Sequence, residues 1–215
     1  MNNINIHNNF TVNVCNVLTN DTFSLYNNTN SLIVIHQNIR SLRQNFNALV
    51  TNLSQFERLP DLIFVTEIWI YSHEIENYFL PGYTFYAQTN DKYSAGGVGV
   101  FYKSNLNCRA INCNFSAADV IELNCVIGTD NFTFTCFYRL HSQPITQFFT
   151  ELEHYLGRKN SHNLILIGDF NIDVLADNEN SDLYLSILAK HGLLATQAIR
   201  ALIISFVISK YYHLS

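Results

Sequence analysis

A mixed α/β fold is what the sequence predicts, and three features carry that reading. The apolar runs Ser31–Asn38, 61–67 and 164–173 each end in polar side chains, segments of helical period lie between or after them, and from Pro81 to Tyr138 the period changes to two. Short β-branched runs suit strands buried on both faces, whereas period-two segments suit antiparallel strands. At 215 residues and 48% apolar, the chain can fill a full hydrophobic core within one domain.

Bulk composition limits the function classes. Charged residues make up 13% of the chain, about half the usual share, so amides and hydroxyls carry much of the polar surface. A formal net charge of −5 gives no basic footprint; any nucleic-acid contact needs local Lys and Arg placement or a metal ion. Cys15, Cys108, Cys113, Cys125 and Cys136 form no Cys-x-x-Cys pair, and reduced thiols in an intracellular compartment are the simplest expectation. No basic segment followed by an apolar core opens the chain, so a nuclear or cytoplasmic rather than secreted protein is expected.

In chain order, residues 1–30 are rich in Asn and Thr without a sustained period and read as a loosely held extension, with room for one strand at 10–18. The main domain is expected over 31–197. Ser31–Asn38 is its first strand, and Asn38 sits at the exit. Leu42, Phe46, Leu49, Val50, Leu53 and Phe56 then recur at helical spacing, with Ser41 as N-cap and an end before Pro60. Residues 61–67 repeat the strand plan and end on Glu67, either a ligand for a hard divalent cation or a solvated carboxylate. Trp69 is expected to cover that strand end, or else to face a substrate sugar or base.

Segments 82–87, 97–102, 110–115, 120–127 and 132–138 read as an antiparallel meander. Gly96-Gly97-Val98-Gly99 is followed by no helix, so its glycines mark a tight strand start or bulge rather than a phosphate loop. Tyr138 and Arg139 leave the last strand as a phenol and a guanidinium, able to donate to an oxyanion and to bind a phosphate. A helix is expected over 144–157 and another over 181–191, the latter ending at Gly192 with positive φ.

Between these helices, Leu-Ile-Leu-Ile (164–167) stops at Gly168, and Asp169 and Asn171 flank Phe170. In an extended segment the two polar side chains point together and the ring points the other way. Two readings stand: a carboxylate and an amide that hold and activate a water beside a phosphate or metal, or an Asx turn that caps the strand. The tail, 198–215, carries the apolar run 202–208, too short to cross a membrane, and reads as a buried strand or an unrelated peptide.

Together, Gln37-Asn38-Ile39-Arg40-Ser41-Leu42, Thr66-Glu67-Ile68-Trp69, Gly96-Gly97-Val98-Gly99-Val100, Tyr138-Arg139 and Gly168-Asp169-Phe170-Asn171-Ile172-Asp173 resemble the endonuclease/exonuclease/phosphatase superfamily. More narrowly, they resemble the apurinic-type endonuclease domain that non-LTR (LINE-like) retrotransposons carry ahead of their reverse transcriptase. The resemblance implies two facing mixed β-sheets flanked by helices, a four-layer sandwich with the site at one end. It implies a Mg²⁺-dependent phosphodiesterase acting on DNA, with Mn²⁺ as a substitute ion, and neither a membrane nor a protein partner is inferred. Carried over by position, Glu67 and Asn38 form the metal pair, Tyr138 contacts the phosphate, Asp169 orients or deprotonates the attacking water, and Asn171 positions water and phosphate. Arg139 and Arg40 are the expected phosphate or DNA contacts.

The family pattern also ends in a strand bearing Asp and a Ser-Asp-His stretch, and neither follows Gln197 here. His191 ends a helix, and His213 has no adjacent Asp. On that reading the domain is truncated, lacks its last strands and is impaired. An inactive remnant with weak metal or nucleic-acid binding is the alternative.

Overall fold

In the computed structural model, residues 2–6, 10–15, 31–89, 95–159, 163–195 and 204–210 are described. They form two mixed sheets. In the first, β3 (Ser31–Asn38) runs parallel to β4 (Leu62–Thr66), so that Asn38 lies opposite Thr66 and both strands end at the same edge. β6 (Val98–Lys103) pairs antiparallel with β4 and with β5 (Tyr83–Gln88). On the other side of β3, β11 (Ile204–Lys210) pairs antiparallel with β3 and with β2 (Phe10–Cys15), which pairs with β1 (Asn2–Ile6). The second sheet has the order β10 (Leu164–Asp169), β9 (Asp130–Arg139), β8 (Ala118–Ile127), β7 (Asn107–Asn112). Only β10 and β9 are parallel there, with Asp169 opposite Tyr138.

Side-chain alternation stacks these sheets into four layers. Val34, Phe64, Val98 and Val100 point inward and meet Ile121, Leu123, Phe134 and Ile167 of the other sheet; the Phe64 and Phe134 rings lie 6.2 Å apart. The alternate residues Ile33, Ile35, Ile63, Val65 and Phe101 point outward and bury Leu42, Leu49 and Leu53 of α1 (Leu42–Leu53). On the far side, Val120 and Phe137 bury Phe148, Leu152 and Tyr155 of α2 (Ile145–Leu156) and Tyr184, Ile187 and Leu188 of α3 (Glu179–Lys190). Burial on both faces is why these strands read as continuous apolar runs.

Three details differ from the sequence reading. The predicted meander divides between the sheets: β5 and β6 belong to the first, β7 to β9 to the second. β6 is apolar on both faces and takes an inner position, whereas β7 alternates exposed Asn107 and Arg109 with half-buried neighbours and forms an edge, starting three residues before the expected 110. A period of two cannot say which sheet a strand joins. Ser41 precedes α1 but does not cap it with its side chain; its φ is 90°, and its amide donates to Glu67 O at 2.7 Å. Finally, Cys108 and Cys125 face each other across β7 and β8 as a disulfide, correcting the expectation of reduced thiols at those positions. Gly192 ends α3 with φ 71°, as its position implied.

Residues 16–30 and 196–203, and His213 with the chain end, lie outside the described residues. No helix among the described residues is long and apolar enough to cross a membrane.

At the end opposite the polar strand exits, Asp61 locks the sheet. Its buried carboxylate accepts from Ile33 N (2.8 Å), Arg58 Nη2 (2.8 Å) and Lys103 Nζ (2.7 Å). Asp61→Ala leaves the Ile33 amide unpaired, and a loss of about 2 kcal/mol is expected in urea unfolding, with β3 and β4 still formed.

Candidate active site

Parallel pairing of β3 and β4 is the reason Asn38 and Glu67 meet: both strands deliver their last polar residue to one edge. β10 of the facing sheet ends at the same edge and brings in Asp169. Asn38 Nδ2 donates to Glu67 Oε1 at 2.6 Å and to Asp169 Oδ2 at 2.9 Å, so one amide bridges two carboxylates drawn from different sheets.

Glu67 does not simply continue its strand. Its φ is 54° and that of Trp69 is 49°, left-handed conformations that cost of order 1–3 kcal/mol each and re-aim the carboxylate. The neighbouring backbone holds this turn: Ser41 N donates to Glu67 O (2.7 Å), Leu42 N to Ile68 O (2.9 Å) and Trp69 N to Gly96 O (3.1 Å). Gly96 and Gly97 have φ of 100° and 82°, consistent with a tight strand start rather than a phosphate loop.

Both oxygens of the Asp169 carboxylate are engaged. Oδ1 accepts from Asn171 N at 3.1 Å, an Asx turn, while Oδ2 faces Asn38. Phe170 packs on the opposite side, with its ring 5.4 Å from Phe137 and 5.5 Å from Tyr184. Asn171 leaves the extended conformation at φ 51°, and its Nδ2 donates to Arg139 O at 2.8 Å. Arg139 answers with Nε to Phe170 O (2.8 Å) and Nη2 to Asn171 O (2.9 Å). Expected as a phosphate contact, this guanidinium is instead buried as a brace between the exits of β9 and β10. Arg40 is exposed beside Asn38, whose Oδ1 accepts from the Arg40 amide at 3.3 Å.

Tyr138 stands opposite Asp169 in the parallel register. Burial, and then the carboxylates of Glu67, Asp169 and Asp119, push its phenol up to about 12. It therefore stays protonated at neutral pH and keeps an O–H that can be donated.

Two buried polar residues at this edge escaped the sequence reading. His36 lies two residues before Asn38 on the same face, with Nε2 3.1 Å from Thr66 Oγ1; burial pulls its pKa down to about 4, although Asp169 acts in the other direction. Period two, which puts His36 on the face of Val34 and Asn38, was the signal for it. Asp119 opens β8 opposite Tyr138, and its Oδ2 accepts from Gly97 N at 2.7 Å. An apolar run marks the C-terminal end of its own strand, but an antiparallel strand begins where its neighbour ends, and Asp119 lies at such a beginning. His191, by contrast, sits beside Gly157 at the C-terminal end of α2, away from this edge.

The donor set fits a hard divalent cation. Glu67 and Asp169 offer carboxylate oxygens within reach of one amide, and a Mg²⁺ site characteristically uses one or two carboxylates and completes its shell with water and substrate oxygens. Among the described residues, no three His, Cys, Asp or Glu side chains gather into a metal cluster. Any cation here is held by few protein groups.

A two-sheet α/β sandwich with this polar edge has the architecture of the nuclease and phosphatase class. Residues 28–185 match the Endonuclease/Exonuclease/phosphatase family, and the chain belongs to that family. Among solved structures, the endonuclease domain of TRAS1, a telomere-specific non-LTR retrotransposon, is similar with TM-score 0.61 and 12% identity, over 81% of this chain and 84% of that one. The AP endonuclease LMAP from Leishmania major aligns with TM-score 0.62 and 15% identity, over 91% and 84%. TDP2 from D. rerio, in complex with a single-strand DNA product, aligns with TM-score 0.52 and 13% identity, over 84% of each chain. At such identities the likeness speaks for the fold. No curated protein matches the chain in sequence.

Proposed function

We propose that the chain is a Mg²⁺-dependent phosphodiesterase of the retrotransposon endonuclease type, hydrolysing DNA phosphodiester bonds in the nucleus or cytoplasm. The observation that carries this reading is the single cluster made by Asn38, Glu67 and Asp169 beside a protonated Tyr138. Likeness to the TRAS1 endonuclease domain, and to TDP2 with its single-strand DNA product, supports DNA as the substrate class.

In this reading Glu67, and Asn38 once its amide turns Oδ1 toward the carboxylates, would hold Mg²⁺, or Mn²⁺ in its place. Bound there, the ion neutralises the phosphodiester and stabilises the leaving oxygen, which answers the objection that an acidic chain repels DNA. Asp169 orients the attacking water and takes its proton, with its carboxylate fixed by Asn38 on one oxygen and the Asn171 amide on the other. Tyr138 donates to a phosphate oxygen. Asn171 positions the water and phosphate once its amide exchanges Arg139 O for substrate, and Arg40 contacts the DNA backbone. Arg139 supports this indirectly by holding the loop that carries Asn171.

Plasmid nicking tests the proposal. Wild-type chain is expected to nick supercoiled DNA with Mg²⁺ and to stop with EDTA, and Glu67→Gln is expected to fall by at least about 10²-fold. Equal nicking by Glu67→Gln, or preferential release of phosphate from inositol phosphates, contradicts it. The competing reading is a catalytically inactive domain of the same fold with at most weak metal or nucleic-acid binding. It expects no nicking by the wild-type chain under any divalent ion.

A further inference from the structure

Tyr138 and Glu67 reach the polar edge from different sheets, so their relative position depends on what ties the sheets together there. Asp119 makes such a tie. It opens β8 directly opposite Tyr138, is 8% exposed, and accepts from the Gly97 amide of the first sheet at 2.7 Å. Gly96 and Gly97 in turn hold the turn that carries Glu67: Gly96 O accepts from Trp69 N at 3.1 Å, and Gly97 O from Ile68 N at 3.4 Å.

Both glycines are needed for this contact. A Cβ on Gly96 would lie 2.9 Å from Asp119 Oδ2, and one on Gly97 would lie 2.7 Å from Ile68 Cγ1, so the carboxylate and the Glu67 turn close on the same two residues. A carboxylate accepting from a backbone amide gives a charge-assisted bond, stronger than a neutral one. Burial pushes the Asp119 pKa up and the Gly97 amide pulls it down; the desolvation it suffers is a cost that packing alone would not require. One residue further, Val120 N donates to Gln88 Oε1 at 2.9 Å, a second bond between the sheets, made to the strand beside the Gly96 and Gly97 segment rather than to its amides.

We propose that Asp119 is a positioning residue for the site: acting through Gly97 and Gly96, it fixes the left-handed turn of Glu67 relative to Tyr138. Its consequence for catalysis rests on the phosphodiesterase reading above, but the linkage itself is readable without any metal, because Trp69 is the only tryptophan and lies in the turn.

The experiment compares wild type, Asp119→Ala, Asp119→Asn and Gln88→Ala as full-length chains. Trp69 emission and its quenching by acrylamide are measured without divalent ions, and Mg²⁺ is then titrated in the nicking assay. Asp119→Ala is expected to shift the emission to the red and increase quenching, and to raise the Mg²⁺ concentration for half-maximal nicking about tenfold, as losses behind a metal ligand do. Asp119→Asn keeps an acceptor and recovers most of both, while Gln88→Ala leaves both at the wild-type value. Unchanged Trp69 emission in Asp119→Ala, or an equal change in Gln88→Ala, overturns the proposal. If Asp119→Ala fails to fold, Asp119→Ser, whose shorter side chain withdraws the acceptor from the Gly97 amide, carries the test by amide exchange measured against wild type. Faster exchange at Ile68 and Trp69 than at Val120 supports the linkage, and equal exchange overturns it. A Trp69 response in a chain that never nicks DNA supports the linkage while contradicting the nuclease reading.

Discussion

Gly168→Ala is expected to destabilise the chain by about 4 kcal/mol or more, from strain of about 1–3 kcal/mol at a positive φ together with overpacking of similar size. Gly168 has φ 130° inside β10, and an added Cβ would sit 2.0 Å from Phe137 O and 2.7 Å from Phe137 N. The obstruction is backbone of the paired strand β9, so no side-chain rotation relieves it. Relief requires β10 to move off β9, which separates Asp169 from Tyr138 and from Asn38 as well. Thermal unfolding followed by circular dichroism should therefore show a midpoint lower by roughly 10 °C, or no cooperative transition. A midpoint within a few degrees of wild type would mean that β10 is not seated on β9 in this register.

Asp169→Asn is expected to lower nicking by about 10³-fold, the midrange for loss of a general base, with little change in stability. Asparagine matches aspartate in shape and retains an oxygen that can accept from the Asn171 amide, so the Asx turn survives. The lost properties are the acceptor and negative charge facing Asn38 Nδ2, where the new amide presents a second donor, and the capacity to take a proton. The decisive comparison is of rate against unfolding midpoint in the same samples. A rate that falls only in proportion to the folded fraction assigns Asp169 to the turn alone, and near wild-type nicking removes it from the chemistry.

Much of this edge was legible because strand C-termini mark themselves. An apolar run that stops abruptly at Asn38, Glu67 or Asp169 announces both the strand and its exit, and two parallel strands must exit together. The helices were equally readable, since their apolar stripes match one face of a sheet. Asp119 and His36 were not: one sits near the start of an antiparallel strand, the other follows an apolar run and is masked by the polar Gln37 and Asn38 after it. Arg139 shows a different limit. Its position predicted a phosphate ligand, but its hydrogen bonds to Phe170 O and Asn171 O depend on two strands distant in sequence. The division of the meander between sheets was hidden for the same reason, because alternation fixes faces and not partners.

One cation is expected to be shared at the edge where Asn38, Glu67 and Asp169 meet. Crystals soaked in Mn²⁺ and measured at the manganese absorption edge test this directly. One anomalous peak is expected within about 2.0–2.6 Å of a Glu67 carboxylate oxygen, beside Asn38 and Asp169, and it should disappear in Glu67→Gln. A peak elsewhere on the molecule, or an unchanged peak in Glu67→Gln, would contradict the account.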